Sequence, residues 1–348
     1  MPILGGDGVR DTRQDTGRKS SPSRGQRGSG GERHEGWMDR VLSGPLRDFD
    51  PASEQLTRRP GMRGSPGSGL GSGLGGLVST CVNPECSSGW LQLWRSRSRP
   101  IFEGGWSCSP VCTLAQIEMA VRREMEGRGS DSAPHRHRVP LGLVMLEQGW
   151  ITPKQLREAL EAQKTAGRGK LGEWLMRLHS IPEHLVTRAL SVQWSCPVLP
   201  LDFHDPAATA PAMPRLFLDA FGALPLRVAA GRILYLGFED RTDPVVALAA
   251  ERMLDLRVEA GLVHGSQFGP SQEKMLTATF PAAELIEAVS EQPLIRAMAK
   301  AVERARPVES RLVRVHDCLW LRMWLRPQTG PLPEITGVED VVCSLGLR

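Results

Sequence analysis

The chain has 348 residues, of which 40% are hydrophobic and 24% charged, with a formal net charge of +4. That length serves about two domains plus tails, because one core supports roughly 100–200 residues. No run of about 18 apolar residues occurs, so no membrane span is expected, and the N-terminus lacks a basic start followed by an apolar stretch, so a cytoplasmic protein is expected. Residues 1–76 hold 18 of the 37 glycines and carry three of the four net positive charges. The remainder is nearly neutral, which gives no reason to expect a nucleic-acid partner.

Residues 1–76 show no apolar periodicity and close on Gly64-Ser-Pro-Gly-Ser-Gly-Leu-Gly-Ser-Gly-Leu-Gly75. Such a segment buries too little apolar surface to offset about 1–2 kcal/mol of backbone entropy per residue. A disordered tail is therefore expected, and Met38 and Met62 are alternative starts.

Order is expected to begin at Cys81. Four of the seven cysteines form two close pairs, Cys81-x4-Cys86 and Cys108-x3-Cys112, with Pro84 and Pro110 in their loops. Tight turns let two thiolates from one loop face a metal, and four soft ligands suit a structural Zn2+ with no open position for catalysis. Two disulfides, or four unrelated thiols, are the alternatives. On the zinc reading Trp90, Trp94, Phe102 and Trp106 form the module's small core, and Thr113 caps a helix over 114–126. Arg95, Arg97 and Arg99 beside the tryptophans read as a solvated strand face, or as a nucleic-acid surface.

After a polar linker containing His135-Arg-His137, residues 140–163 and 170–193 align at an offset of 30 residues without a gap. The pairs Leu141/Leu171, Gly142/Gly172, Ile151/Ile181, Ala159/Ala189, Leu160/Leu190 and Gln163/Gln193 are identical. Each copy reads as a short helix, a turn and a longer helix. In the first, Thr152, Pro153 and Gln155 make a capping box with proline at the first helical position. Leu156 and Leu160 then fall one turn apart on the face expected to be buried.

This repeat resembles the N-terminal domain of type II secretion and type IV pilus assembly ATPases (GspE N-terminal), in the MshEN form that binds cyclic di-GMP. The shared pattern is Arg-Leu-Gly-x-x-apolar-apolar-x-x-Gly-apolar-apolar-x4-Leu-x3-Leu-x2-Gln, twice. The likeness runs on to about Leu276, including Leu224-Pro-Leu226 and Leu234-Tyr-Leu-Gly-Phe-Glu-Asp240. It implies cyclic di-GMP as a ligand and a protein partner in a secretion, pilus or motility system. Carried over position by position, it implies a site of Leu141, Gly142, Gly149, Leu156, Leu160, Gln163, Lys170, Leu171, Gly172 and Gln193. The chain departs from the pattern at Pro140 and Lys170, which replace the two leading arginines. His179 also replaces a glycine, and Pro182 stands where the first copy has its capping threonine.

Further on, a helix is expected around 211–221, a hairpin over 224–228 and 233–238, a helix over 244–254, a strand over 257–263 and a helix near 270–278. Ala282 to Arg306 reads as one long amphipathic helix. From Val313 to Arg326 apolar residues alternate with Trp320, Arg322, Trp324 and Arg326, the period of a strand, hairpinned with 341–345. The tryptophan side either covers a small core or faces a partner. No Gly-x4-Gly-Lys-Ser/Thr loop and no catalytic constellation occurs, so a non-enzymatic protein is expected. Cys196, Cys318 and Cys343 read as packed, inert thiols.

The expected fold class is α+β: a disordered tail (1–76), a four-cysteine zinc-ribbon-like module (77–127), a helical tandem repeat (139–195), a small α/β portion (196–280), and a C-terminal helix and hairpin (281–348).

Overall fold

The computed structural model describes residues 81–86, 100–126, 138–202 and 204–345. The tail, Trp90, Trp94, Arg95, Arg97, Arg99 and the linker histidines lie outside the described residues.

Strands β1 (Ile101–Phe102) and β2 (Gly105–Trp106) form a minimal hairpin. Its turn is Glu103-Gly104, both at positive φ (47° and 74°), as a tight two-residue hairpin turn requires. Helix α1 spans Pro110–Glu126, so it starts before the expected Thr113 cap. Ser109 is the capping residue, its Oγ accepting from the Cys112 amide at 3.3 Å, and Pro110 takes the first helical position, where no N–H is needed. Thr113 is instead buried inside the helix, and its hydroxyl donates to Glu303 at 2.6 Å.

The repeat forms α2 (Leu141–Glu147), α3 (Pro153–Ala166), α4 (Leu171–His179) and α5 (Glu183–Trp194). Then come a short α6 (Pro206–Thr209), a 3-10 turn (Ala210–Ala212) and α7 (Arg215–Phe221). The single helix expected over 211–221 is split because Pro214 ends one segment and precedes the next. Strands β3 (Leu224–Ala229), β4 (Ile233–Phe238) and β5 (Arg257–Leu262) form one sheet, with α8 (Pro244–Leu254) between the last two. Strand β4 pairs antiparallel with β3 and parallel with β5. Helix α9 covers Gly265–Leu276, beginning five residues earlier than expected and continuing through Pro270.

The long helix expected from Ala282 to Arg306 is two elements, strand β6 (Ala282–Ala288) and helix α10 (Glu291–Ala305). Local propensity in Ala-Ala-Glu-Leu-Ile-Glu-Ala favours a helix. Parallel pairing with β9 (Val338–Leu345) overrides it. The alternating run after Val313 is likewise two strands, β7 (Glu309–Val315) and β8 (Cys318–Trp324), turned at His316-Asp317.

The second sheet has the order β6-β9-β8-β7 and is covered on both faces over β7–β9, while β6 is largely exposed. On one side Leu312, Leu319, Leu321, Met323, Val341 and Cys343 pack with Met298 and Val302 of α10 and Ile117 and Val121 of α1. Phe102 joins this cluster, so its packing is shared with the C-terminal elements instead of belonging to a small core of its own. On the other side Val313, Val315, Trp320, Trp324 and Val342 meet the core of the first sheet and α7–α9. The tryptophans are therefore core residues, at most 3% exposed, and present no surface. Between them Arg322 is fully buried, its fork on Asp340 with two bonds of 2.8 Å. Its Nη1 donates to the carbonyls of Pro211 and Ala212 at 2.8 and 3.1 Å. Trp320 Nε1 also donates to Asp340, at 2.8 Å.

Candidate functional site

The two cysteine pairs converge. Asn83 organises the first turn: its side chain accepts from the Glu85 amide at 3.1 Å and its carbonyl from the Cys86 amide at 3.1 Å. The Val82 amide donates to the Trp106 carbonyl at 3.0 Å, which ties this turn to the hairpin. Gly105 permits that approach, since a Cβ there would lie 2.7 Å from Val82. Cys108 precedes α1 and Cys112 stands in its first turn, where the helix dipole favours a thiolate.

The sulfurs of Cys81, Cys86, Cys108 and Cys112 all lie within 4.8 Å of one another and could hold a metal ion. The Cys86–Cys108 and Cys108–Cys112 separations are 3.4 and 3.6 Å. Four sulfurs around a zinc at about 2.3 Å stand about 3.8 Å apart, whereas a disulfide requires about 2.05 Å. The donor set therefore fits a tetrahedral thiolate site. Burial pushes the Cys81 thiol up to about 12, reinforced by the thiols of Cys112 and Cys108 and opposed by the backbone amides of Cys108 and Asn83. A bound dication reverses that preference and stabilises thiolates. The other three cysteines do not join the cluster. Burial pushes Cys196 up to about 11 and Cys343 to about 12, the behaviour of packed thiols.

In the repeat, the capping box forms: Thr152 N donates to Gln155 Oε1 at 2.8 Å and Gln155 N to Thr152 Oγ1 at 3.3 Å. The two leading glycines have matching surroundings. A Cβ on Gly142 would meet Leu156 at 2.6 Å and Leu171 at 3.3 Å. One on Gly172 would meet Val186 at 2.6 Å and Leu141 at 3.8 Å. Each glycine thus lets the long helix of its own copy and the leading leucine of the other pack onto it. The trailing glutamines also match. Gln163 donates to the Gly169 carbonyl and Gln193 to the Val139 carbonyl, both at 2.8 Å.

The copies differ where the sequence differs. In the first, Gly149 takes the left-handed conformation, φ 67°. In the second, His179 occupies that position, α4 runs on through it, and Ser180 makes the left-handed turn at φ 52°. The left-handed turn thus falls one residue later than in the first copy. Pro182 provides no side-chain cap for α5. The carboxylate of the following Glu183 instead accepts from the amide and hydroxyl of Ser266 at 2.7 and 2.5 Å.

That contact belongs to a set that docks the second copy on the α/β portion. His264 Nδ1 is 3.0 Å from Thr187 Oγ1, Lys170 pairs with Asp240, and Leu190 and Trp194 pack against the main core. The first copy stays open: Leu160, the counterpart of Leu190, is 44% exposed, and Ala159 is the buried residue of that turn. Burial lowers Lys170's affinity for its proton, but Asp240, Glu239 and Glu173 outweigh it and raise its pKa. Pro140 brings neither charge nor an amide proton to the matching place in the first copy.

No protein-family model matches the chain, and no curated protein matches it. Among solved structures, one of MshE with cdg is 27% identical to this chain, covering 40% of it and 99% of that chain, with a TM-score of 0.33.

Proposed function

We propose that the chain is a non-enzymatic regulatory or adaptor protein of a secretion, pilus or motility system. In this reading the four-cysteine site holds a structural Zn2+, and the tandem repeat takes cyclic di-GMP in the cytoplasm. The observation that carries it is the equivalence of the two copies: Leu-Gly entrances and trailing glutamines recur at the same offset with the same contacts. A flat dianionic dinucleotide suits such a frame. The exposed Leu160 offers apolar surface to its rings, and glutamine carries both donor and acceptor. Lys170 would supply the cation, and binding would exchange its Asp240 bond for a phosphate.

Calorimetry of the purified full chain with cyclic di-GMP tests the ligand. A saturable heat supports the reading, and no heat at millimolar ligand removes the nucleotide from it.

A second reading is favoured by Pro140 and by the Lys170–Asp240 pair, which leave the repeat one cation short and the other engaged. On it, the repeat is a protein-interaction module without a nucleotide. Capture of the same protein partner with and without added cyclic di-GMP separates the two, since only the first reading makes capture depend on the nucleotide.

A further inference from the structure

Among the described residues, the four-stranded sheet is flanked at one edge and unpaired at the other. Outside β7, the hairpin strand β1 runs alongside: Ile101 N donates to the Pro307 carbonyl at 3.0 Å and Glu103 N to the Ser310 carbonyl at 2.8 Å. The Ser310 hydroxyl returns a bond to the Ile101 carbonyl at 2.9 Å. Strand β6 terminates the other end of the order, and among the described residues no strand pairs with its outer edge. It is seven residues long, with an unbroken register and neither proline nor lysine within it. Of the devices by which proteins blunt a free edge (bulges, prolines and charged side chains), β6 carries only the last, in Glu284 and Glu287. Leu285 is 54% exposed there, and Val289, just beyond the strand, is 88% exposed.

We propose that β6 pairs with the same strand of a second copy, antiparallel about Leu285, to make one eight-stranded sheet across a two-fold axis. The self-complementarity of the sequence selects this occupant and this register. Centred on Leu285, Ala282 faces the partner's Ala288, Ala283 faces the partner's Glu287, and Glu284 faces the partner's Ile286. No glutamate opposes another. Val289 meets the partner's Pro281. A centre one half-step later sets Glu284 against the partner's Glu287 twice over, and directly opposed like charges destabilise a sheet. A parallel mate in register stacks Glu284 on the partner's Glu284. A half-step earlier puts Leu285 against a glutamate. In the sheet Leu285 sits beside Val342, on the face that carries Trp320 and Trp324. The paired leucines therefore extend an apolar stripe that already exists. Such an isologous contact closes on itself and yields a dimer without a fibre.

Sedimentation of the full chain over micromolar concentrations is expected to show a dimer of the 38.1 kDa chain. Leu285→Lys, which sets two cations face to face, is expected to give a monomer with unchanged circular dichroism. Opposed Cβ atoms in an antiparallel pair stand about 4.5–5.5 Å apart, so Leu285→Cys is expected to give an oxidised dimer linked 285 to 285 by peptide mapping. That second variant decides the matter should Leu285→Lys misfold. A monomeric wild type, a dimer that survives Leu285→Lys, or a link that maps elsewhere each overturns the proposal.

Discussion

Gln163 and Gln193 make the same hydrogen bond 30 residues apart, each to the carbonyl of the residue just before the other copy begins. The last residue of one copy thereby fixes the entrance of its mate, and the two copies close into a ring. Both bonds are exposed, so each contributes at the low end for a neutral hydrogen bond, about 0.5 kcal/mol. Gln163→Leu and Gln193→Leu are expected to lower the urea midpoint by similar small amounts. Unequal losses of more than about 1.5 kcal/mol would contradict the equivalence.

Restoring the missing arginines tests the ligand reading from the other side. Pro140→Arg returns a cation and an amide to the first entrance, and Lys170→Arg returns the planar fork to the second. Together they are expected to tighten cyclic di-GMP binding at least about tenfold, which corresponds to about 1.4 kcal/mol. Calorimetry on the double variant reads this directly, and an affinity equal to the wild type counts against the repeat as the nucleotide site.

The geometry of the four sulfurs predicts one zinc per chain by elemental analysis. Cys81→Ser and Cys108→Ser are each expected to lose it. Strong chelators should lower the melting temperature, because the site fastens the Asn83 turn to the β1–β2 hairpin and α1. Retention of a full equivalent of zinc in both variants would show that the ligand set is wrong.

Arg322 and Asp340 are both fully buried, with every described bond of the arginine fork made inside the core. Arg322→Met leaves Asp340 charged and uncompensated, and is expected to cost about 3–5 kcal/mol in urea denaturation. Replacing both, Arg322→Met with Asp340→Leu, should recover most of that loss. If the double variant is no more stable than the single one, the cost lies in lost packing and not in the orphaned charge.

Glu124 is buried where α1 meets α8 and β7, and Arg252 grips it through two bonds of 2.6 and 3.0 Å. The Arg314 amide donates to it as well, at 3.2 Å. Burial alone would push this carboxyl up, but Arg252 and then Arg123 hold it below the usual range. A depressed folded-state pKa means that its stabilisation is present above the unfolded value of about 4.3 and is lost as pH falls through the folded one. Stability should therefore fall on acidification below about pH 4, and Glu124→Gln should flatten that decline while lowering stability at neutral pH. An unchanged acid limb in the variant would remove Glu124 from the explanation.

Much of this was legible in the residues because it is local. The Thr152–Gln155 capping box, the Pro244–Leu254 helix and the 30-residue repeat each rest on spacings within a turn or two. The convergence of the cysteines was legible too, since short loops leave two thiols few directions to point. The left-handed turn at Ser180 was half visible: His179 announced that glycine was missing, but not that the next residue would take its place. The β6 strand was invisible, because its residues prefer a helix and only β9, some fifty residues downstream, supplies the ladder that makes it a strand.

Residue order alone set the repeat, the cap on its first long helix, the pairing of the four clustered cysteines and the alternation along β8. Periodicity and short-range sterics suffice for these. Long-range packing settled that the Trp320 face is core, that Arg322 finds its countercharge 18 residues away in Asp340, and that the second copy of the repeat is docked while the first is open. Those outcomes depend on which surfaces meet across long stretches of chain, and neither composition nor spacing encodes that meeting.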